Sequence, residues 1–227
     1  MGNKTNKTFV ELLDETNVQI PLIQRDYVQG NARTEKEKEK RDDFINKLLD
    51  ALNNEKEYNL DFIYGAKDDK KETDNSLLPF LPLDGQQRLT TLFLMHWVFQ
   101  RLSSQREKDS ERMAALRKFS YKTRISSDKF CQKITSEDNF CNFSADNSGK
   151  SLSKFIKLQS WFVKNLANDP TVQSMMEMID TIETIVSEKY ADNIDTLTER
   201  LFNGRYISFE VLNMDKYNLT DNLYIKM

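Results

Sequence analysis

Across 227 residues the chain holds 38% hydrophobic, 11% aromatic and 30% charged residues, enough apolar matter for a core and too much for a disordered segment. Its 33 basic and 36 acidic residues leave a net charge of −3, which excludes a chain that is basic throughout and coats nucleic acid, so any DNA contact needs a local patch. No run reaches the ~18 apolar residues of a membrane span, and no apolar core follows Met1 as in a secretory signal, so a cytoplasmic protein with no membrane contact is expected.

Residues 9–13 read as a short helix, and 18–23 as a strand that Pro21 ends early or places at a sheet edge. Gln24-Arg25-Asp26-Tyr27 follows. Arg25 has the planar fork that suits a phosphate and Gln24 can read a base or ribose edge, although an exposed Arg pairing with Asp26 or Asp61 is the plainer reading. Residues 30–40 are polar, with Glu and Lys alternating from Glu35 to Lys40, and are expected as a loop entering a helix. From Arg41 a stripe of Phe44, Ile45, Leu48, Leu49 and Leu52 has helical spacing and must pack on a sheet; Asn53-Asn54 ends it.

Residues 58–65 have strand character, and a hydrophilic connector leads to a second strand at 77–83. These two are expected to pair, which would bring Asp61 and Asp84 close in a register the sequence does not give. Next comes Asp84-Gly85-Gln86-Gln87-Arg88, and a helix from Gln86 to about Leu102 that is apolar on nearly all sides. The polar cluster lies where strand hands over to helix. Unpaired N–H groups and the positive end of the helix dipole, with Arg88 beside them, suit an anionic oxygen. Asp84 can hold a hard cation such as Mg²⁺, Gly85 lets the backbone turn close to a ligand, and Gln86 and Gln87 can orient a water. Asp-Gly is also an ordinary turn, in which Asp84 only caps the helix and Arg88 only pairs with a carboxylate.

His96, the only histidine, lies inside the apolar run and is expected in the core; an HNH-type nuclease or a two-histidine metal centre cannot be assembled from this chain. Cys131 and Cys141 lack ligand spacing and are expected reduced. After a charged segment from Ser103 to Arg112, Tyr121-Lys122-Thr123-Arg124 precedes a short helix that Ser127 is expected to cap, with Phe130 and Ile134 facing inward. From Leu152 the chain turns helical. Asp169-Pro170 gives a capped start to a helix whose stripe is Val172, Met175, Met176, Ile179, Ile182 and Val186. Residues 207–212 alternate as a late strand, and a further helix is expected to open at Leu219.

Three of these stretches carry a family resemblance. Asp84-Gly85-Gln86-Gln87-Arg88-Leu89-Thr90-Thr91-Leu92, Ile20-Pro21-Leu22-Ile23-Gln24-Arg25-Asp26-Tyr27 and the Tyr-x-Thr-Arg segment ending at Arg124 resemble the N-terminal domains of GmrSD-type restriction systems, a family related to the ParB and sulfiredoxin-like nucleotide-binding fold. Gln29 departs from it where relatives often carry tryptophan. The resemblance implies an α+β fold: a small ParB-like mixed sheet with packed helices over residues 1–105, then a mainly helical extension over 106–227 that continues beyond Met227 in similar proteins.

It further implies an NTP-binding and NTP-hydrolysing regulatory part of a modification-dependent restriction protein acting against phage. Mg²⁺ and a nucleoside triphosphate would be the cofactors, modified phage DNA a partner of the full-length protein, and a nuclease module would lie beyond the C-terminus or on a partner chain. In that reading Asp84, Gln86, Gln87 and Arg88 do the chemistry, with Asp84 on the metal. The nucleotide is held by Gln24, Arg25, Tyr27, Gly85, Arg88, Thr90, Thr91 and Arg124. A metal-dependent phosphodiesterase and a non-catalytic interaction module are the alternatives.

Overall fold

The computed structural model describes residues 6–21, 26–67, 78–122, 124–136 and 151–214. The elements run β1 (Asn6–Lys7), α1 (Phe9–Glu15), β2 (Asn17–Ile20), α2 (Glu35–Asn53), β3 (Tyr58–Lys67), β4 (Pro79–Pro82), α3 (Gln86–Leu102), α4 (Asp109–Leu116) and β5 (Phe119–Tyr121). They continue with α5 (Ile125–Ile134), α6 (Leu152–Lys157), α7 (Lys164–Ala167), α8 (Pro170–Lys189), α9 (Ile194–Asn203) and β6 (Ile207–Asn213). The expected α+β class is what forms.

Among the described residues the strands make one mixed sheet in the order β1-β6-β3-β4-β2-β5. β3 and β4 pair antiparallel as expected, with Gly65 opposite Pro82, while β4–β2, β2–β5 and β3–β6 are parallel. Pro21 stops β2 rather than marking an edge, since β2 lies between β4 and β5. One face of the sheet is apolar at alternate positions, with Val18, Ile20, Ile63, Phe80, Phe119 and Phe209 buried, because side chains on a strand point to opposite faces in turn. β5 and β6 come from the stretch after residue 105, and one apolar core runs through both stretches. The expected boundary at 105 thus falls between elements that share a sheet and a core.

α3 is the centre of the molecule. Every residue from Leu89 to Arg101 is buried, and the helix packs against α1, α4, α8 and α9, which is why its sequence shows no polar face. His96 is a core residue as expected: Nδ1 lies 2.7 Å from the Leu92 carbonyl, and the ring packs between Phe9 and Phe202. Burial pulls its pKa down to about 4, against the opposite pull of the Leu92 and Leu201 carbonyls.

Two local expectations are corrected. The alternating Glu-Lys run is the first two turns of α2, because Thr34 and Glu37 close a capping box: Thr34 Oγ1 accepts from the Glu37 N–H at 3.2 Å and the Glu37 carboxylate accepts from the Thr34 N–H at 2.9 Å. Ser127 does not cap α5. The helix starts at Ile125 after Arg124, so Ser127 is inside the first turn, buried, with its hydroxyl 3.3 Å from Asp169 Oδ1. Phe130 and Ile134 do face inward. Asp169 and Pro170 start α8 as the sequence indicates, the carboxylate accepting from the Thr171 and Val172 N–H groups at 2.9 and 3.0 Å. Cys131 is buried and unpaired with another cysteine; Cys141 and the expected helix at Leu219 lie outside the described residues.

Candidate functional site

The Asp84 turn leaves β4 and enters α3 through Gly85, whose φ of 82° is left-handed and which occupies the position before the first helical residue. Any side chain here would be strained, and a Cβ would stand 2.7 Å from Ile63 Cγ1. Leu83 and Asp84 donate their N–H groups to the Tyr64 carbonyl at 2.7 and 3.2 Å, which fixes the turn to β3.

No side chain caps α3, and its first turn holds no acidic residue; α1, α2 and α8, by contrast, are capped by Thr8, Thr34 and Asp169. Asp84 stands just outside this open end. Its side chain is 54% exposed, and Oδ2 accepts from Arg88 Nη2 at 3.0 Å.

Arg88 is also tied to the sheet. Its guanidinium donates to the Leu60 carbonyl and, at 2.8 Å, to the Phe62 carbonyl. Those two carbonyls flank Asp61, which has φ of 59° and sits at the irregularity in the β3–β6 pairing. Arg88 thereby serves a bulge that leaves backbone groups without ladder partners, and it joins that bulge to the Asp84 carboxylate.

The two glutamines differ. Gln86 is buried; its Nε2 donates to the Pro82 carbonyl and its Oε1 has no protein partner. Gln87 is committed at both ends: Oε1 accepts from the Val28 and Gln29 N–H groups at 3.0 and 3.3 Å, and Nε2 donates to the Asp26 carbonyl at 3.1 Å. The segment after Gln24-Arg25 is therefore stitched to the Asp84 turn, and two motifs some sixty residues apart meet through one side chain. Gln24 and Arg25 themselves lie outside the described residues.

Tyr27, Thr90 and Thr91 build the wall behind this junction. The Tyr27 hydroxyl lies 2.9 Å from Thr91 Oγ1, which donates its one proton toward the Gln29 side-chain or Gln87 main-chain carbonyl, so Tyr27 is the donor. Burial raises the Tyr27 hydroxyl above its ordinary range and keeps it protonated. Thr90 Oγ1 lies 3.0 Å from the Tyr121 hydroxyl, which burial also raises. Arg124 pairs with Asp26 and donates to Thr171 Oγ1 at 3.1 Å.

Asp26 and Thr171 belong to this assembly and were not singled out by sequence, and Gln29, which also belongs to it, was marked only as a departure from the family pattern. Asp26 was named only as a possible partner of Arg25, and Thr171 carried no signal beyond the helix start before it. Among the described residues no three His, Cys, Asp or Glu side chains come together, so none of them forms an all-protein metal cage. The donor set present, one exposed carboxylate at an open helix end, fits a hydrated Mg²⁺ that arrives with phosphate oxygens.

If Gln87 holds the 26–29 segment in place, Gln87→Ala should lower stability in urea denaturation by about 1 to 3 kcal/mol, as expected for three lost hydrogen bonds of which solvent replaces part; unchanged stability would leave the clamp without energetic weight.

The profile of the family described as GmrSD restriction endonuclease, N-terminal domain, matches residues 9–226. No curated protein matches the chain. None of the helices among the described residues is long and apolar enough to cross a membrane.

Proposed function

Because the chain belongs to the GmrSD restriction endonuclease N-terminal domain family, we propose that it serves a restriction system as the part that binds and hydrolyses a nucleoside triphosphate, with the Asp84 turn as its phosphate site. The observation that carries this reading is the open N-terminus of α3, uncapped and free of acidic residues in its first turn, with the segment after Gln24-Arg25 fastened against it by Gln87. Backbone N–H groups and the helix dipole there favour a bound anion.

Asp84, with Gly85 allowing close approach, would hold Mg²⁺ together with phosphate oxygens; the ion would supply charge neutralisation on the transferring phosphoryl group. Arg88 fixes the Asp84 carboxylate in place and would take phosphate charge beside it. Gln86 Oε1, buried without a protein partner, is an acceptor that can fix an attacking water. In the sequence Gln24 and Arg25 directly precede Asp26; Arg25 would take phosphate charge and Gln24 a base or ribose edge. Tyr27, Thr90, Thr91 and Arg124 hold that wall. The likeness of the sheet to ParB-type nucleotide-binding domains is part of the same proposal. So is cytoplasmic action on modified phage DNA by the full-length protein, cut by a nuclease module on further sequence or on a partner chain.

Titration with the four common ribonucleoside triphosphates, with and without Mg²⁺, followed by phosphate release, tests the reading. Asp84→Asn should still bind nucleotide and should hydrolyse it about a hundredfold more slowly, since the amide keeps the shape and loses the charge. Failure of all four to bind, or full activity in the Asn variant, would remove the Asp84 turn from the chemistry. DNA cleavage by the chain itself, abolished by Asp84→Ala, would favour the phosphodiesterase alternative.

A further inference from the structure

On the side of the molecule built by α6, α7 and α8 lies a cavity of about 570 Å³, lined by Lys157, Phe162, Lys164, Gln173, Met176 and Asp180, with Glu177 and two smaller apolar residues completing it. This volume lies in the range of small-molecule sites. None of these residues belongs to the Asp84 corner.

The lining carries separate cationic and anionic groups: Lys157 and Lys164 come from α6 and α7, Glu177 and Asp180 from α8. Residues 151–168 contain Lys154, Lys157 and Lys164 and no acidic residue. Among the described residues these three exposed lysines have no ion pair. Two of them stand at this cavity.

On α8, Asp180 has a deficit of its own. Asp180 Oδ1 is buried with no hydrogen-bond donor, and the neighbouring Glu183 accepts from the Leu152 N–H at 2.8 Å, so it adds acceptor character rather than relief. A buried carboxylate oxygen without a donor is costly and calls for an N–H group from outside. Met176 and the Phe162 ring add apolar lining; Phe162 is itself braced by Trp161, with centroids 6.0 Å apart in an edge-to-face arrangement.

A ligand that satisfies all three features has a planar apolar body, N–H donors at one end and an anion at the other. We propose that this cavity is a second nucleotide site, for a guanine nucleotide unit. The base would lie against Phe162 and Met176, the two adjacent N–H donors of guanine would meet the Asp180 carboxylate, and the phosphate would rest on Lys157 and Lys164. Adenine offers an acceptor where guanine offers a donor, and so leaves the carboxylate facing a lone pair. The unit can be supplied free or as part of a single strand, which exposes the same base edge.

Binding of GMP, AMP and a short G-containing single-stranded DNA oligonucleotide, read by tryptophan fluorescence and by calorimetry on the full chain, tests the site. GMP or the oligonucleotide should saturate, with GMP favoured over AMP by about tenfold. Asp180→Asn and the exposed pair Lys157→Ala/Lys164→Ala should each weaken binding by about tenfold or more. Saturation by GMP assigns a free nucleotide; saturation by the oligonucleotide alone assigns a strand. Asp180→Asn and the lysine pair should leave triphosphate hydrolysis at the Asp84 corner unchanged, which separates the cavity from that corner. Absence of saturable binding by either probe, or binding that is indifferent to both the Asp180 and the lysine variants, would overturn the proposal.

Discussion

Lowering the pH from 7 to 4.5 should destabilise the folded protein by about 2.4 kcal/mol through His96 alone. The ring is buried in the apolar heart of α3, where its pKa falls to about 4, while in the unfolded chain it takes a proton near the usual 6.5. Between those values the unfolded state binds the proton and the folded state does not. The stability His96 contributes is thus complete above about pH 6.5 and is lost as the pH falls toward 4, at up to about 1.4 kcal/mol per pH unit.

The packed surroundings explain the size of the effect. Phe9 and Phe202 enclose the ring at centroid distances of 5.1 and 4.9 Å, and the guanidinium of Arg112 also disfavours a second cation. Asp128 and Glu183, whose pKa values burial raises, act with the opposite sign and soften the slope. Urea denaturation at several pH values on wild type and His96→Gln measures it. The variant keeps an N–H for the Leu92 carbonyl and should have a flatter profile between pH 6.5 and 4.5; an unchanged slope would assign the pH dependence to other groups.

Gly85→Ala should cost about 3 kcal/mol, the sum of a left-handed backbone imposed on an L-residue and a Cβ driven into a filled space. The φ of 82° supplies the first part and the 2.7 Å approach to Ile63 Cγ1 the second. A double-mutant cycle separates them. In an Ile63→Ala background, which is itself destabilised, Gly85→Ala should cost about 1 to 2 kcal/mol less, because the clash is gone and the backbone strain remains. Equal costs in both backgrounds would leave the contact with Ile63 without energetic weight. The turn carries Asp84, so the single variant should also weaken triphosphate binding under conditions where it remains folded.

How legible each part was depends on the range of the interaction that made it. α3 was readable from Gln86 to Leu102 because a helix buried on all sides loses its polar face, and the start of α8 was readable because Asp169-Pro170 acts within one turn. The pairing of β3 with β4 followed from their short separation. The start of α2 was hidden by a charge pattern typical of solvated loops, although Thr34 and Glu37 carried a capping signal three residues apart.

The candidate site divides the same way. The Asp84 turn was visible as a polar island between apolar stretches. The clamp of Gln87 on residues 26–29 and the use of Arg88 at the β3 bulge were not, since periodicity assigns a residue to a face and says nothing about which distant backbone group that face meets. The bulge itself is invisible in Asn59-Leu60-Asp61-Phe62, which reads as ordinary strand.

The position of β6 between β1 and β3 bears on how the chain reaches this state. Of the described strands, β6 comes last in sequence and pairs with both β1 and β3, Lys7 against Phe209 and Tyr58 against Ile207, so this part of the sheet cannot close until β6 has left the ribosome. Until then β3 has a long edge with unpaired backbone groups beside exposed Phe62 and Tyr64, a template for pairing with another chain. Pairings this distant in sequence are slow to form. A nascent chain should therefore be most prone to pair with another chain in the interval before β6 emerges.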